Sequence, residues 1–536
     1  MQLPEVRRWA RERGISAARV REVHDGALLH VVSRVFQAMY RESRAARLTR
    51  DGRGDWWFEL GNLRAPASGP LPFRGLEITG LPYVPRRRKR HTLRSARALL
   101  AALKRCLAGS EYARVFGALR SDFQNSVANV MLNRLLGVLL PAKACAMEPA
   151  YQGHQYYPFP ALRIGPSLSQ VLECSHLSRK PVELPLLDDI GPLRMVSVGY
   201  DSHEALFQAW SGVKGKPLLP VHPWHLRRSA VLRELSDCLP RRTVKAIPLA
   251  SQRTCRILRT GFDLKLTLDA TLTGEHRLLY PLNCLNAPVV SALAQHVLAK
   301  SSVRRLTFQL DVASIFHSEP RLVPHVSAIV RPPVRPRRGE AIVPAINLWT
   351  GRCEARALLR GADAARIEEF FARYCRALMS GPVEFCAEWG MAFEPHLQNV
   401  YVALRDGMPA GIVLRDLDNS ILDPRRARAL FRELGAEPQP DTWRHMPRFE
   451  VGARRMVQAM LFGHLGEVMA CLGRDHGVPL DRLAATVEDT WDELAASAPS
   501  RAARRAVSTL RGWSNAVKAT LRTRLKRGHA VEFVRE

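Results

Sequence analysis

Residues 393–416 read FEPHLQNVYVALRDGMPAGIVLRD, and this stretch predicts a β-hairpin. Two runs of largely apolar residues flank an Asp-Gly turn, which is a strong hairpin signal between hydrophobic strands. Folding the chain back about Gly407 and Met408 places Asp416 beside Asn399. We therefore expect a two-stranded element with polar side chains at its open end.

The approach to the first strand carries further polar residues. Side chains alternate between the two faces of an extended chain, so Glu394, His396 and Gln398 are expected to share one face. Together with Asn399 and Asp416, they bring two carboxylates, an imidazole and two amides to one end of the hairpin. Carboxylates suit Mg²⁺, and the other groups can contact an oxyanion. The hypothesis is a site for Mg²⁺ and phosphate, and the alternative is a polar network that only stiffens the domain.

The order of these residues is similar to that of kinase-like phosphotransferases, in which a catalytic loop, a hairpin and a metal-binding Asp follow one another. Those enzymes need an Asp two residues after the His. Here that position is Gln398, whose amide cannot act as a base. The segment is predicted to hold Mg-ATP without the group that a kinase requires, and a kinase-like phosphotransferase is kept as an alternative.

A second set of polar residues occurs in the middle of the chain. Hydroxyl and cationic side chains recur there, at Ser251, Arg253, Thr254, Lys265, Thr273 and Arg277. Guanidinium groups offer paired donors and an ammonium offers a point charge, which suits polyphosphates and polycarboxylates. Lys265 lies in an otherwise apolar predicted strand, where a solvated strand edge explains it equally well. This hypothesis therefore depends on the hairpin residues for its weight.

The charge of the chain is strongly positive. Of 536 residues, 80 are Lys or Arg and 50 are Asp or Glu, which gives a net charge of +30. The run Arg86–Arg90 is the densest, but it has no interleaved aromatic residues and no recognisable reader motif. We expect no specific nucleic-acid binding, and a basic nucleic-acid-binding protein is the alternative outside enzymes.

Cysteine spacing and hydropathy predict a cytoplasmic protein without membrane insertion. The ten Cys residues form no Cys-x-x-Cys pair and no zinc-type spacing, which is typical of free thiols in a reducing compartment. The first residues lack the apolar stretch of a signal peptide. The segment from Val127 to Leu140 is too short to span a bilayer and is expected to form a buried helix.

Hydrophobic spacing divides the chain into three regions. Residues 1–145 show helical spacing with an extended patch in residues 54–85, and residues 146–345 show short strand-like runs. Residues 346–536 are mostly helical apart from the hairpin, and residues 331–339 are predicted to be a linker or a long loop. The predicted class is α+β, with a helical N-terminal region, a β-rich middle region and a mostly helical C-terminal region.

In order and spacing, these motifs resemble those of the NRPS-independent siderophore (NIS) synthetases, of the aerobactin-synthetase (IucA/IucC-like) type. The resemblance runs from about Asp122 to Asn419. Its parts are Gln124-Asn125-Ser126-Val127-Ala128-Asn129, Leu219-Pro220-Val221-His222-Pro223-Trp224, the polar residues at 251–277, Glu394-Pro395-His396-Leu397-Gln398-Asn399 and Arg415-Asp416.

The resemblance implies a multidomain, hand-like fold with a thumb (1–145), fingers (146–345) and a palm (346–536). It implies siderophore biosynthesis for iron acquisition, in which ATP and Mg²⁺ are used to adenylate a carboxylic acid such as citrate. An amine, or less often a hydroxyl, then displaces AMP. Dimers are usual in the family, which leaves a homodimer open. A catalytically degenerate member of the family is a further alternative.

The resemblance also implies roles for single residues. Contacts to ATP are implied for His154, Arg163, Ser251, Lys265, Thr273, Arg277, His396 and Asn399. A role in catalysis, next to the carboxylate substrate, is implied for Arg253, Thr254, Arg277, His396 and Gln398. Binding of Mg²⁺ is implied for Glu394 and Asp416.

One motif departs from the family pattern. The family signature is Gly-His-Pro-x-His-Pro-x-x-Lys-x-Arg-x-Gly, whereas residues 153–165 read GHQYYPFPALRIG. Tyr157 replaces the second His and Ala161 replaces the Lys. Losing a buried Lys–phosphate contact costs about 1.5–3 kcal/mol. We expect weaker ATP binding unless a nearby Arg substitutes, and we expect Ala161→Lys to strengthen it.

Overall fold

The computed structural model describes residues 2–73, 75–86, 89–107, 119–139, 153–154, 156–178, 180–188, 190–235, 242–349, 354–435, 448–514, 517–518, 520 and 533–534. Helices and mostly antiparallel sheets are combined in these residues, which confirms the α+β class. Arg87 and Arg88 of the basic run lie outside the described residues.

In the described residues, the N-terminal part is built on four helices, which are α1 (Leu3–Glu12), α2 (Ala17–Glu42), α3 (Ala96–Cys106) and α4 (Leu119–Leu139). Helix α2 begins after Ser16, whose Oγ accepts a hydrogen bond from Arg19 N at 3.2 Å and so caps the helix. Its apolar face packs against α4, where Phe123 and Met131 are fully buried. The buried helix predicted from Val127 onward is confirmed as part of α4.

The same part also contains a five-stranded antiparallel sheet, which the prediction of a helical region missed. Its strands are adjacent in chain order: β1 (Ala46–Arg50), β2 (Trp56–Leu60), β3 (Leu63–Ala67), β4 (Tyr83–Arg86) and β5 (Lys89–Thr92). Phe58 and Leu60 in β2 and Leu63 in β3 are fully buried in the core that includes α2. Covering this apolar face with a helix stabilises a sheet that the extended patch alone did not predict.

An eight-stranded antiparallel sheet forms the middle of the chain, as its strand-like runs predict. Its strands lie in the order β8 (Leu193–Ser197), β16 (Ala313–His317), β17 (Ser327–Arg331), β12 (Asp263–Leu266), β11 (Thr254–Ile257), β10 (Arg242–Pro248), β7 (Val182–Leu187) and β9 (Leu219–Pro220). A small sheet joins β14 (Glu275–His276), β13 (Thr271–Leu272) and β6 (Arg163–Ile164).

Short helices flank these sheets, and one long helix lies between β14 and β16 in the chain. They are α5 (Leu168–Cys174), α6 (His203–Ser211), α7 (Pro223–Arg228), α8 (Ala230–Glu234) and α9 (Pro281–Lys300), with a 3₁₀ turn at His176–Ser178. Trp210 in α6 is fully buried in the core beneath the large sheet. This packing gives the middle region a hydrophobic core of its own.

The C-terminal part is mostly helical, as predicted. Its helices are α10 (Ala345–Trp349), α11 (Glu354–Leu358), α12 (Ala364–Trp389), α13 (Pro424–Leu434), α14 (Phe449–Met460), α15 (Gly466–His476), α16 (Leu480–Ala496) and α17 (Arg501–Gly512). A π-helical turn, Leu461–Leu465, joins α14 to α15. Two short strand pairs accompany the helices, β19 (Met391–Ala392) with β22 (Ile421–Leu422) and β23 (Val517–Lys518) with β24 (Phe533–Val534).

The predicted hairpin is present in a four-stranded sheet. The strands lie in the order β15 (Leu306–Phe308), β21 (Met408–Leu414), β20 (Val400–Arg405) and β18 (Glu340–Pro344). Strands β15 and β18 come from the predicted fingers region, on the other side of the proposed boundary at residue 345. The segment between β17 and β18 forms the predicted long loop. The domain boundaries themselves stay predictions.

The register of the hairpin differs from the predicted one by one residue. Arg405 pairs with Met408, so the turn lies at Asp406 and Gly407, whose φ angles of 51° and 74° fit a type I′ turn. A shift in register follows at Ala403. As a result Asn399 O accepts from Arg415 N at 3.0 Å, and Asp416 lies one residue beyond its predicted partner.

Within the described residues, one helical stretch, Phe449–His476, is long and apolar enough to cross a membrane. In the most apolar 18-residue segment of this stretch, 72% is buried inside the protein, which is typical of the core helix of a globular protein.

Candidate functional site

Strand β12 and the end of the hairpin meet at a buried ammonium group. Lys265 is 1% exposed, and its Nζ donates to Asp416 Oδ1 at 2.7 Å and to Asp418 Oδ1 at 2.6 Å. Because β12 is a central strand of the large sheet, the explanation of Lys265 as a solvated strand edge is wrong. The structure thus brings together the lysine predicted to contact phosphate and the Asp predicted to bind metal.

A second cation, Arg331, lies on the other side of Asp416. Arg331 is the last residue of β17, and its Nη2 donates to Asp416 Oδ1 at 2.5 Å. Its Nε donates to the fully buried Asp311. Asn283 Nδ2 completes the group by donating to Asp418 Oδ2 at 3.1 Å. We call these six residues the acidic-basic cluster: Lys265, Asn283, Asp311, Arg331, Asp416 and Asp418.

The surrounding cations keep Asp416 ionised. Burial opposes the charge of its carboxylate, but Lys265, Arg331 and Arg253 outweigh that effect and hold its pKa well below the ordinary value. The Asp416 side chain is 23% exposed, whereas Asp418 is fully buried. Within the cluster, Asp416 is therefore the ionised carboxylate that an incoming cation or ligand can reach.

The predicted acid-binding arginines lie next to the cluster. Arg253 Nη1 donates to Arg277 O at 3.2 Å, and Arg277 Nη2 donates to Thr273 Oγ1 at 2.6 Å and to Leu272 O at 2.9 Å. Burial, together with the charge of Arg277, lowers the pKa of Arg253 to about 10. Its charged form is thus destabilised, and a bound anion relieves such a cost.

Ser251 lies in a tight turn between β10 and β11, and Thr254 is the first residue of β11. Ser251 Oγ accepts from Thr254 N at 3.1 Å, and Gln252 between them has a positive φ of 66°. Gln252 Oε1 in turn accepts from Arg163 Nε at 3.1 Å. This turn therefore links the polar residues at 251–277 to the altered signature.

Arg163 is anchored to helix α4. It is 1% exposed, and its Nη1 donates to Asn129 Oδ1 at 2.6 Å and to Asn133 Oδ1 at 3.3 Å. Asn125 brackets its backbone, because Asn125 Oδ1 accepts from Arg163 N and Asn125 Nδ2 donates to Arg163 O, both at 2.9 Å. These bonds assign a structural role to the Asn residues of the α4 motif. The nucleotide contact of Arg163 stays a prediction.

The approach to the hairpin is a turn and not the extended strand that was predicted. Leu397–Asn399 forms a 3₁₀ turn in which Asn399 N donates to His396 O at 2.9 Å and Asn399 Nδ2 donates to Glu394 O at 3.2 Å. Glu394, His396 and Gln398 are nevertheless all half-buried. Glu394 Oε1 accepts from Arg455 of α14, and Gln398 O accepts from Arg415 Nη2 at 2.6 Å.

His154 of the altered signature faces His396. The two ring centroids are 5.3 Å apart, and the planes are inclined at 62°. His154 Nδ1 also accepts from Tyr156 N at 3.2 Å. The structure therefore brings the signature and the hairpin approach together, as expected for two motifs that serve one ligand.

The two altered positions of the signature are packed against protein. A Cβ added at Gly274, whose φ is +89°, would lie 2.2 Å from Tyr157 Oη, so the Tyr157 ring covers that glycine. Ala161 is 4% exposed and lies in the N-terminal core. The expectation that Ala161→Lys supplies a phosphate-directed cation is therefore wrong, because this position faces apolar side chains.

We instead expect Ala161→Lys to destabilise the protein. Overpacking a core costs about 1–3 kcal/mol, and an unpaired buried ammonium adds to that loss. Chemical denaturation measures the change. Ile164→Lys is the matched control, because Ile164 lies three residues further on and is 41% exposed. Equal stability of Ala161→Lys and the wild type would contradict this placement.

Four members of the acidic-basic cluster were missed in the sequence: Asn283, Asp311, Arg331 and Asp418. Arg331 was taken as the start of a linker, whereas it ends a buried strand. Asp418 could have been found in the sequence, because it is a second Asp that lies two residues after Asp416. Asp311 and Asn283 come from distant segments, so only the folded chain brings them together.

Known protein families give an independent comparison. A family model described as the IucA / IucC family matches residues 143–349, a segment that includes Lys265, Arg253 and Arg277. This match supports the resemblance to the IucA/IucC family that the sequence motifs indicate. A second model, described as ferric iron reductase FhuF-like transporter, matches residues 368–529. The resemblance to the NIS synthetases is thereby confirmed.

A relative found by sequence comparison is distant from this chain. The uncharacterized protein y4xN of Sinorhizobium fredii (strain NBRC 101917 / NGR234) is 24% identical over 412 residues, which cover 68% of this chain and 65% of the relative. The chain thus spans somewhat less than two thirds of that curated relative.

Solved structures of two biosynthetic proteins share the fold. The petrobactin biosynthesis protein AsbB from Bacillus anthracis str. Sterne has a TM-score of 0.74 at 14% identity, with 94% of this chain and 93% of that chain covered. ATP-bound aerobactin synthetase IucA from a hypervirulent pathotype of Klebsiella pneumoniae has a TM-score of 0.73 at 16% identity, with 89% and 93% covered. At these identities the likeness shows that the chain shares the fold of the two proteins.

Proposed function

We propose that this protein is an ATP-dependent carboxylate–amine ligase that adenylates citrate or a similar acid and joins it to an amine. One observation carries the proposal. The 2.7 Å bond between Lys265 and Asp416 unites the polar residues of the middle region with those of the hairpin. Each set alone is a weak signal, whereas a shared location fits a site for an anionic substrate and a metal-bound nucleotide.

The reaction that we propose has two steps. A carboxylate oxygen of the acid attacks the α-phosphorus of ATP, and pyrophosphate leaves. The amine then attacks the acyl carbon of the acyl-adenylate, and AMP leaves. Arg253 and Arg277 would hold the acid, while Lys265 and His396 would contact the phosphates. Catalysis by such a site comes mainly from positioning and from neutralising charge that develops in the transition state.

The residues proposed for Mg²⁺ fit that ion. Asp416 and Glu394 are partly exposed carboxylates, and Mg²⁺ is commonly held by one or two carboxylates together with phosphate oxygens and water. When bound, the ion would neutralise phosphate charge. Both carboxylates accept bonds from cations, Asp416 from Lys265 and Arg331, and Glu394 from Arg455. Metal binding would therefore exchange these partners.

The cellular setting is part of the same proposal. We place the protein in the cytoplasm, where ATP and citrate are available, without membrane insertion and without specific nucleic-acid binding. Its partners would be the acid and the amine. A homodimer stays a prediction that light scattering can test.

The test is the identity of the products. We expect that the protein, given Mg-ATP, citrate and hydroxylamine as a surrogate amine, forms a hydroxamate and releases pyrophosphate and AMP. Citrate is the first choice of acid because two neighbouring arginines can hold more than one carboxylate. ADP as the sole nucleotide product would instead indicate a phosphotransferase, although Gln398 disfavours that class. Absence of every product would indicate a degenerate member, in line with the altered positions at Tyr157 and Ala161.

A further inference from the structure

The π-helical turn between α14 and α15 has no part in the proposed site so far. All five of its residues, Leu461–Leu465, are buried. Turns of this kind are rare, and they frequently occur at functional sites. Here the side chain of interest is His464, whose neighbours lie in two other segments of the C-terminal part.

Both nitrogens of His464 have partners. Nδ1 lies 2.9 Å from Pro395 O, and Nε2 lies 2.5 Å from the hydroxyl oxygen of Tyr374. Trp349 Nε1 donates to that same hydroxyl oxygen at 3.0 Å. A carbonyl oxygen can only accept, so Nδ1 carries the proton and Nε2 accepts from Tyr374. The chain of bonds then runs in one direction, from Trp349 through Tyr374 and His464 to Pro395.

The imidazole of His464 is neutral in this arrangement. The residue is fully buried, and burial, reinforced by the neighbouring His396, lowers the pKa of His464 to about 3. The ring is therefore neutral at neutral pH, and its hydrogen-bond partners place the proton on Nδ1. A neutral ring with both nitrogens engaged is a rigid support and not an acid or a base.

Pro395 is the residue through which His464 contacts the segment that carries Glu394 and His396. It lies between Glu394 and His396, and as a proline it offers a carbonyl oxygen but no N–H. The turn approaches His396 as well, because a Cβ added at Gly463 would lie 3.3 Å from His396 Cβ. Bonds within the segment tie Glu394, His396 and Asn399 together. The bond to Pro395 O therefore acts on the whole turn, in addition to the bonds that Arg455 and Arg415 donate to it.

We propose that His464 is a positioning residue: its bond to Pro395 fixes Glu394 and His396 for their contacts with Mg²⁺ and phosphate. This proposal rests on the proposed function, because those contacts belong to the ligase site. His464 itself touches neither the substrate nor the reacting atoms in this view.

Two substitutions separate positioning from core packing. In His464→Asn, the side-chain amide nitrogen occupies the place of Nδ1 and can still donate to Pro395 O, whereas the acceptor for Tyr374 is lost. In His464→Gln, the longer side chain keeps an acceptor near Tyr374 and loses the donor at Pro395. Thermal stability should therefore be lower for the Asn variant, while activity should be lower for the Gln variant.

The expected results follow from the cost of a misplaced catalytic group. We expect His464→Gln to lower kcat for pyrophosphate release about tenfold to a hundredfold, because displacements near 1 Å have effects of that order. The KM for ATP should change less than kcat. His464→Asn should keep kcat within about threefold of the wild type. Hydrogen exchange of the peptide covering residues 393–400 should accelerate in the Gln variant and stay slow in the Asn variant.

Each contrary result has a distinct meaning. If kcat follows thermal stability in both variants, His464 is only a core residue and the proposal is overturned. Unchanged exchange at residues 393–400 in His464→Gln overturns it too. If the wild-type protein forms no pyrophosphate with any acid, the proposed function fails by itself. The exchange comparison then still decides whether His464 holds this segment.

Discussion

Replacing Asp416 with Asn is expected to abolish adenylation while leaving the fold intact. Asn keeps the shape and an acceptor oxygen, so Lys265 and Arg331 retain hydrogen bonds at this position. It removes the one ionised carboxylate of the cluster that an incoming cation can reach. Removing a group that stabilises charge in a transition state costs about a hundredfold to a thousandfold in kcat. Acid-dependent pyrophosphate release, with circular dichroism and thermal unfolding on the same samples, measures both effects.

A matched control exists in the same hairpin. Asp406 lies at the opposite end, is exposed and has a positive φ of 51° that Asn tolerates well. Asp406→Asn should therefore retain wild-type activity and stability. Glu394→Gln should follow Asp416→Asn, since it removes the second proposed Mg²⁺ ligand. Wild-type turnover in Asp416→Asn would mean that the acidic-basic cluster is structural only.

Replacing Lys265 with Met is expected to have the largest effect on stability. Met fills a similar volume but leaves the fully buried Asp418 without its ammonium partner at 2.6 Å. Breaking a buried ion pair from one side costs about 3–5 kcal/mol. Here Asn283 and the more distant Arg331, 3.7 Å from Asp418 Oδ1, compensate only in part. Urea denaturation measures the loss.

Two further variants test that explanation. Lys245→Met changes an exposed lysine on β10 of the same sheet and should alter stability by no more than about 0.5 kcal/mol. Adding Asp418→Asn to Lys265→Met removes the unpaired charge, so it should recover part of the lost stability without recovering activity. A double variant less stable than Lys265→Met would contradict the ion-pair explanation.

The sequence predicted local features well wherever a short-range rule applies. The Asp-Gly turn specified the hairpin, and the apolar spacing specified α4. It failed by one residue at Asn399, because the position of the turn and the shift near Ala403 depend on pairing across strands. It also missed the sheet of residues 46–92, which is stabilised by helices that come before and after it in the chain.

The site was predictable only in part for a related reason. Lys265 and Asp416 are separated by 151 residues, and no local rule shows that their side chains share one bond. The family resemblance assigned both residues to one ligand site, Lys265 to ATP and Asp416 to Mg²⁺, but it also suggested a phosphate-directed lysine at residue 161. The packing of Ala161 against the N-terminal core was not visible in the motif. Arg331 and Asp311 carried no motif at all.

The transfer of an oxygen atom tests the central claim most directly. The protein is incubated with Mg-ATP, hydroxylamine and citrate labelled with ¹⁸O in its carboxylates, and the products are analysed by mass spectrometry. Adenylation forms a bond between a carboxylate oxygen and the α-phosphorus, so aminolysis leaves one ¹⁸O atom in AMP. We expect labelled AMP and unlabelled pyrophosphate. Label in inorganic phosphate together with ADP would show attack at the γ-phosphorus and would contradict the proposed ligase mechanism.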